Sequence, residues 1–304
     1  MTGSAVVLIA ALLLDAALGE PGWLWSRLPH PAVLMGRAVG WLDNRLNRGS
    51  HRRARGVLAV ALLVIGAGGI GLALQALPGH WADVVVVAIL VAQRSLTDHV
   101  GAVAKGLRQG LAEGRLAVAM IVGRDVQVLD EAGVARAAIE SGAENLSDGV
   151  IAPALWYLAG GLPGILICKA VNTADSMIGH RTPRHAEFGW AAARLDDVLM
   201  WVPARVTAML IGLGLGRPGG WGPIVRDARQ HRSPNAGWPE AAMARGIDVA
   251  LSGPRSYGGQ MQSFAFVHPQ GCRTPGPAEI ASSVRALWRA WGVLLAATVL
   301  LALM

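Results

Sequence analysis

The feature that most constrains this chain is the segment "VLAVALLVIGAGGIGLALQAL", residues 57–77, which contains no charged residue. A second apolar run closes the chain at Ala286–Met304. Each holds about the 20 residues that an α-helix needs to cross a bilayer. Within hydrocarbon every backbone polar group must be satisfied by the chain itself, so such runs fold as helices. Shorter or interrupted runs lie at Ala5–Leu18, Val84–Ala92, Val150–Cys168 and Val198–Gly216. Overall, 53% of residues are hydrophobic and only 15% charged, against about 25% charged in soluble domains. The reading is an all-α integral membrane protein, residues 1–304 forming one domain. It is expected to be a bundle of about four to six hydrophobic segments, some of them re-entrant, with amphipathic helices outside the membrane.

Charge location orients the chain. Residues 20–55 hold seven arginines against two acids, and 217–285 hold eight against four. By the positive-inside rule both stretches face the cytoplasm, which places cytoplasmic loops at 19–56, 97–149 and 217–285. The "PGHW" connection at 78–81 lacks Lys and Arg and suits the outer side, giving spans at 5–18, 57–77 and 82–96. Residues 1–19 read as an uncleaved anchor, because no basic residue precedes the apolar part and Asp15 interrupts it. Runs 150–168 and 198–216 carry Pro153, Gly160-Gly161, Pro163, Pro203 and Arg205. They are expected not to cross simply, leaving 169–197 on the cytoplasmic side. In 97–149, Val100, Val103, Leu107 and Leu111 recur at helical spacing, and a second amphipathic helix is predicted from about Val128 to Glu144.

No stripe of basic residues interleaved with aromatics is present, which excludes nucleic acid as the expected partner. "GAGGIG" at 66–71 fits a dinucleotide fingerprint in letters only. It lies inside the strongest span with no strand before it, where small residues instead let helices approach closely. Cys168 and Cys272 form no metal or disulfide motif.

Two polar clusters carry chemistry. In "ESGAENLSDGVIAP", Glu140, Glu144 and Asp148 fall four residues apart, so on a helix they share a slowly drifting face. Like charges at that spacing repel, and a cation such as Mg²⁺, or arginines, would relieve them. Mg²⁺ is commonly held by one or two carboxylates while phosphates and water complete its shell. The plainer alternative is that Ser147 or Asp148 caps a helix starting near Val150 and the glutamates are solvated. The second cluster, "KAVNTADSMIGHR", places Lys169, Asn172, Asp175 and Ser176 at spacings compatible with one helical face directly after an apolar run. Polar groups at membrane depth are costly and point to function, although Lys169 could also snorkel to water. Weaker groups are Arg124 beside Asp125, Arg194 with Asp196 and Asp197, Arg205, and the loop residues Arg229, His231, Arg232 and Asn235. Together they suggest Mg²⁺ and phosphate chemistry.

The strings "LLLDAALGEPGWLWSRLPHPAVLMGR", "IVGRDVQVLDEAGVARAAIESGAENLSDGVIAPALWY", "KAVNTADSMIGHR", "FGWAAARLDDVLMWVPARVTA", "SPNAGWPEAAMA" and "LSGPRSYGG" run in order over about residues 12 to 259. In these the chain resembles the CbiB/CobD family of cobalamin biosynthesis, the adenosylcobinamide-phosphate synthases. His180, "MARGIDVAL" and "LSGP" depart from the family's pattern. The resemblance implies an ATP-dependent amide ligase in the inner membrane with its active site toward the cytoplasm. It would join adenosylcobyric acid to (R)-1-amino-2-propanol O-phosphate, or to the bare amino alcohol, releasing ADP and phosphate. Partners would be these substrates, ATP, the lipid membrane and other corrinoid-pathway enzymes. Combined with the clusters, it assigns Glu144, Asp148 and Asp175 to Mg²⁺–ATP, and Lys169, Arg124 and Arg181 to phosphate. Asn145 and Asn172 would orient substrate or metal-bound water. Arg205, Arg229 and Arg232 would meet the amino-alcohol phosphate or corrin side chains, and Asp197 would help deprotonate the ammonium nucleophile. Two alternatives are a membrane prenyl or phospho-alcohol transferase and a non-catalytic membrane regulatory protein. The first would show more Asp-rich motifs, and the second should have lost the carboxylates.

Overall fold

A computed structural model describes residues 2–217, 220–257, 260–262 and 264–304; Gly258 and Gly259 of the "LSGPRSYGG" string lie outside these. The described chain is helical almost throughout. In order its helices are α1 (Thr2–Leu18), α2 (Gly22–Trp25), α3 (Pro31–Leu46), α4 (Arg52–Gln75), α5 (Trp81–Leu90), α6 (Gln93–Gln109), α7 (Leu111–Ala119) and α8 (Glu131–Leu146). A π-helical turn over Ser147–Ile151 leads into α9 (Ala152–Ile178), followed by α10 (Trp190–Leu199), α11 (Trp201–Gly214), α12 (Trp221–Ala228), α13 (Gly237–Ile247) and α14 (Pro277–Leu303). Between α13 and α14, β1 (Leu251–Ser252) pairs antiparallel with β4 (Phe266–Val267), and β2 (Arg255–Tyr257) with β3 (Gln260–Gln262).

Among the described residues, four helical stretches are long and apolar enough to cross a membrane: Arg52–Gln75, Trp81–Gln109, Glu131–Ile178 and Pro277–Leu303. The bent pair α10 and α11 would make a fifth. The runs at 57–77 and 286–304 thus extend into α4 and α14. The first helix, of 17 residues, is apolar but falls short of the same length. Run 150–168 lies within one of the long stretches rather than outside them. It is nevertheless interrupted, because Gly161 takes φ 61° and ψ −151° two residues before Pro163, whose ring cannot donate or fit in a regular helix. The amphipathic helix of the 97–149 segment holds Val100, Val103 and Leu107 inside, but the chain breaks at Gly110 and Leu111 opens α7, 37% exposed. The second begins at Glu131, capped by Asp130, whose Oδ1 accepts from the Gly133 amide at 2.7 Å.

The contacts resolve into two compact units. The first comprises residues 1–92, 148–201 and 297–304, the second 93–147 and 202–296. In the first, α4 lies against α9, and two glycines set close approaches. A Cβ on Gly71 would stand 2.5 Å from the Pro163 backbone, and one on Gly56 would run into the Phe188 carbonyl. The glycines of "GAGGIG" therefore include one that packs helix on helix, as read from the sequence. The core here is Val39, Leu42, Ala59, Val60, Ala174, Ile178, Phe188 and Ala192. Deeper in the apolar part, the buried Tyr157 hydroxyl donates to buried Asp83 at 3.0 Å. In the second unit, α6 and α8 pack together, with Val100 and Leu287 closing over Gly142.

Candidate functional site

The polar cluster of the first unit is built on the turn that follows α8. The chain does not start a new helix near Val150, so neither Ser147 nor Asp148 acts as a cap there. Instead a π-turn carries α8 into α9 without a break in helical structure. Such turns insert one extra residue and re-aim side chains, and they often occur at functional sites. Asp148 sits within it.

From α9, Asn172 reaches two carboxylates at once. Its Nδ2 lies 3.3 Å from Asp148 Oδ2 and 3.4 Å from Asp196 Oδ1. Asp196 comes from α10, which packs on α9. The charges of Asp148, Asp175 and Asp197 are all felt at Asp196. Lys169, one turn before Asn172 on α9, is close enough for Asp148 and Glu20 to act on it electrostatically. Asp175 stands further along the same helix, its carboxyl over Gly179, where a Cβ would collide with it. The exposed Arg181 follows α9.

Sequence reasoning chose Asp197 from the "LDD" pair. The structure shows Asp197 3.1 Å from Arg194 on its own helix, while Asp196 faces Asn172. It also missed Glu20 and His30. His30 caps α3, its Nδ1 accepting from the Ala32 amide at 3.2 Å, and its ring meets Trp25 edge-on at 4.5 Å. Burial lowers its pKa below the ordinary histidine value; Glu20 opposes that shift and Lys169 adds to it. The available signal was the pairing of the "LGEP" and "LPHP" turns in one string.

In the second unit the candidates are distributed differently. Arg124 Nη2 stands 2.8 Å from Glu140 Oε2, with both side chains 10% exposed or less. The other Glu140 oxygen accepts from the Ser252 amide at 2.6 Å. Glu140 thus leaves the acidic stripe to become an internal tie, whereas Glu144 is exposed. Asn145 turns back onto its own helix and donates to the Ser141 carbonyl at 2.9 Å. Arg205 stacks over Trp238 at 4.5 Å and donates to Asn235 at 3.3 Å. Exposed Arg232 covers Phe264 at 4.1 Å, and Arg229 is exposed at the end of α12. His231 is a hydrogen-bonded loop residue: Nδ1 accepts from the Ser233 amide at 3.0 Å, and Nε2 lies 3.8 Å from buried Glu240.

Comparison with known proteins agrees with this arrangement of motifs. The CobD/Cbib protein family model matches residues 8–287. The chain belongs to the CobD/Cbib family. Curated relatives named "Cobalamin biosynthesis protein CobD" include that of Rhizobium meliloti (strain 1021), 48% identical over 95% of this chain and 94% of the relative. Those of Rhodobacter capsulatus and Brucella suis biovar 1 (strain 1330) are 49% and 46% identical, covering 94% and 93% of this chain and 93% and 92% of theirs. No solved structure matches. The match covers both units, so the polar groups of each belong to the CobD/Cbib chain proper and not to an appended segment.

Among the described residues, no group of three or more His, Cys, Asp or Glu is arranged as a metal cage. The donor set of the first unit fits a different demand. Two carboxylates on either side of Asn172 suit a magnesium ion that takes one or two protein oxygens and completes its shell with phosphate and water.

Proposed function

We propose that this CobD/Cbib chain serves cobalamin biosynthesis as an ATP-dependent acid–amine ligase, joining adenosylcobyric acid to aminopropanol phosphate or aminopropanol to give adenosylcobinamide phosphate or its unphosphorylated counterpart. The observation that carries this reading is the Asp148–Asn172–Asp196 group with Lys169 beside it, in a chain whose curated relatives are named for cobalamin biosynthesis. The carboxylate of the corrin side chain attacks the terminal phosphorus of ATP, forming an acyl phosphate and releasing ADP. The amine then attacks the acyl carbon, and phosphate leaves as the amide forms. The protein's task is to hold anions together and neutralise charge on the transferring phosphoryl group.

Asp148 and Asp196 are the proposed Mg²⁺ ligands, with Asp175 in reserve along the same helix. A bound Mg²⁺ would neutralise phosphate charge. Asn172 keeps the two carboxylates apart at a fixed spacing. Lys169 and Arg181 supply cationic contacts to phosphate, and Asp197, beside Arg194, accepts the ammonium proton. A role for Arg205, Arg229 and Arg232 toward the amino-alcohol phosphate or the corrin carboxylates rests on the sequence alone. Arg124 is left out of the phosphate set because Glu140 already engages it, and Asn145 because it bonds its own helix. A metal role for Glu144 rests on sequence spacing alone. The arginine-rich loops support an active site that faces the cytoplasm, and residence in the inner membrane belongs to the same proposal.

The test is an assay of detergent-purified protein with Mg²⁺-ATP, adenosylcobyric acid and aminopropanol phosphate. Amide formation with one ADP per product supports the reading. Failure to form amide with any amino alcohol, from protein that remains folded, overturns it.

A further inference from the structure

Helix α3 has two opposed faces, and only one is accounted for by packing. Val39 and Leu42 are buried in the core with Ala174 and Ile178, and Gly36 and Gly40 lie against Met177. Asp43 also turns inward, 2.6 Å from Arg184 and hydrogen-bonded to Asn47. The opposite stripe carries Val33, Leu34, Arg37, Ala38, Trp41, Arg45 and, just beyond the helix, Arg48, all exposed. Val33 and Leu34 are 48% and 49% exposed and Trp41 is 60% exposed. The Arg45 guanidinium rests 5.9 Å from the Trp41 ring centre.

This stripe is neither a water-facing surface nor a span. A water-facing helix does not present Val, Leu and Trp on one line with its arginines. At 16 residues with three charges, α3 is not among the helices long and apolar enough to cross a membrane. It is also tied to one that is. A short connection over residues 47–51 leads into the Arg52–Gln75 helix, and the Arg55 guanidinium bonds the Arg48 carbonyl, closing the turn between them. Helices of this kind lie in the bilayer surface, apolar residues and Trp in the acyl boundary and arginines at the phosphates.

We infer that α3 is an interfacial helix whose outward stripe, Val33, Leu34 and Trp41 with Arg37, Arg45 and Arg48, docks on the headgroups of anionic phospholipids. Charge complementarity selects this occupant. Three guanidinium groups on one face can pair bidentately with lipid phosphates, and each basic residue near an anionic leaflet strengthens attachment. The inference is independent of the ligase reading, because none of these residues belongs to the proposed site.

The test uses the full chain in lipid nanodiscs of phosphatidylcholine, alone or mixed equally with phosphatidylglycerol. A nitroxide is placed by Ala38→Cys in a Cys272→Ser background, since Cys168 is buried. The label should collide more with oxygen, and less with a water-soluble nickel chelate, than the same nitroxide free in buffer, and more so in the mixed bilayer. Arg37→Gln, Arg45→Gln and Arg48→Gln together should cut co-purified phosphatidylglycerol by at least about fivefold. Trp41→Ala should make the label shallower in both lipids. A label as accessible to nickel as the free nitroxide would overturn the inference. So would equal immersion in the two bilayers, or spin–spin broadening showing a second copy on this face. Wild-type lipid co-purification provides a readout free of any substitution, and the absence of phosphatidylglycerol enrichment there would count equally against it.

Discussion

The two polar regions of this molecule treat carboxylates in opposite ways. In the second unit they are met by guanidinium groups: Glu140 by Arg124 at 2.8 Å and Asp227 by Arg245 at 2.6 Å. In the first unit Asp148 and Asp196 meet across the amide of Asn172, with more carboxylate charge nearby. Ion pairs with buried, matched partners hold structure together. Carboxylates gathered about a neutral amide are costly to ionise together, a cost that the proposed cation would offset. On the proposed function, the contrast would separate fastening from chemistry, and substitutions in each region should show it in different measurements.

The largest effect should come from the fastening side. Arg124→Ala removes the guanidinium partner of buried Glu140, whose other oxygen accepts from the Ser252 amide. Removing one member of a buried pair costs about 3–5 kcal/mol. Unfolding in detergent should shift by that amount, while the folded fraction keeps the amide-forming turnover proposed above. If turnover per folded molecule fell instead and stability held, Arg124 would belong to the chemistry and the contrast would break.

Next is Asp196→Asn. Loss of one oriented group that stabilises developing charge typically lowers kcat by about 10² to 10³. The same change removes a like-charge repulsion, so the melting temperature should stay level or rise. Asp197→Asn, which removes the partner of Arg194 at 3.1 Å, should cost less activity than Asp196→Asn. Amide-forming rates measured for both at saturating and limiting Mg²⁺ decide the point: equal loss would put the two neighbours in the same role.

How legible all this was in the sequence depended on what kind of information each feature needs. The spans at α4 and α14 were plain, because a long apolar run has only one way to satisfy its backbone in lipid. The cluster on α9 was also plain, since Lys169, Asn172 and Asp175 share one helix and spacing alone places them. The acidic stripe was misleading at its two ends. Its regular four-residue spacing presumes an unbroken α-helix, but the π-turn at Ser147–Ile151 intervenes, and Glu140 finds Arg124 sixteen residues away. Choosing Asp196 over Asp197 requires the rotation of α10 against α9, which adjacent letters cannot encode. Glu20 and His30 sit in the paired "LGEP" and "LPHP" turns, but their nearness to Lys169 could not be read, because they lie more than a hundred residues from it in the chain.

Smaller effects refine the contrast within the first unit itself. Asp83 and Tyr157 form a buried hydrogen bond at 3.0 Å, a fastening placed in the same unit as the proposed chemistry. Tyr157→Phe strands the Asp83 carboxylate and should cost about 1.5–3 kcal/mol of stability, with kcat unchanged once folding is corrected for. A drop in kcat at constant stability would extend the chemical region to Asp83.

The smallest effect is at Asp43, on the inward side of α3. Burial resists its ionisation, but hydrogen bonds from Arg184 and Asn47 and the charge of Arg184 outweigh that, so its pKa lies below the ordinary carboxylate value. A carboxylate with a depressed folded pKa contributes stability that is present above its unfolded pKa of about 4. That contribution fades as pH falls through the folded value, because the unfolded chain then binds the proton more readily. Much of the pair is open to solvent, Arg184 being 53% exposed, so screening keeps the gain within the modest range of surface pairs. Asp43→Asn should flatten the stability profile of the protein below about pH 4 and leave it nearly unchanged in shape above. If the profile instead kept its full acid slope, the Arg184 contact would be a passenger, and α3 would be held on the unit by Val39 and Leu42 alone.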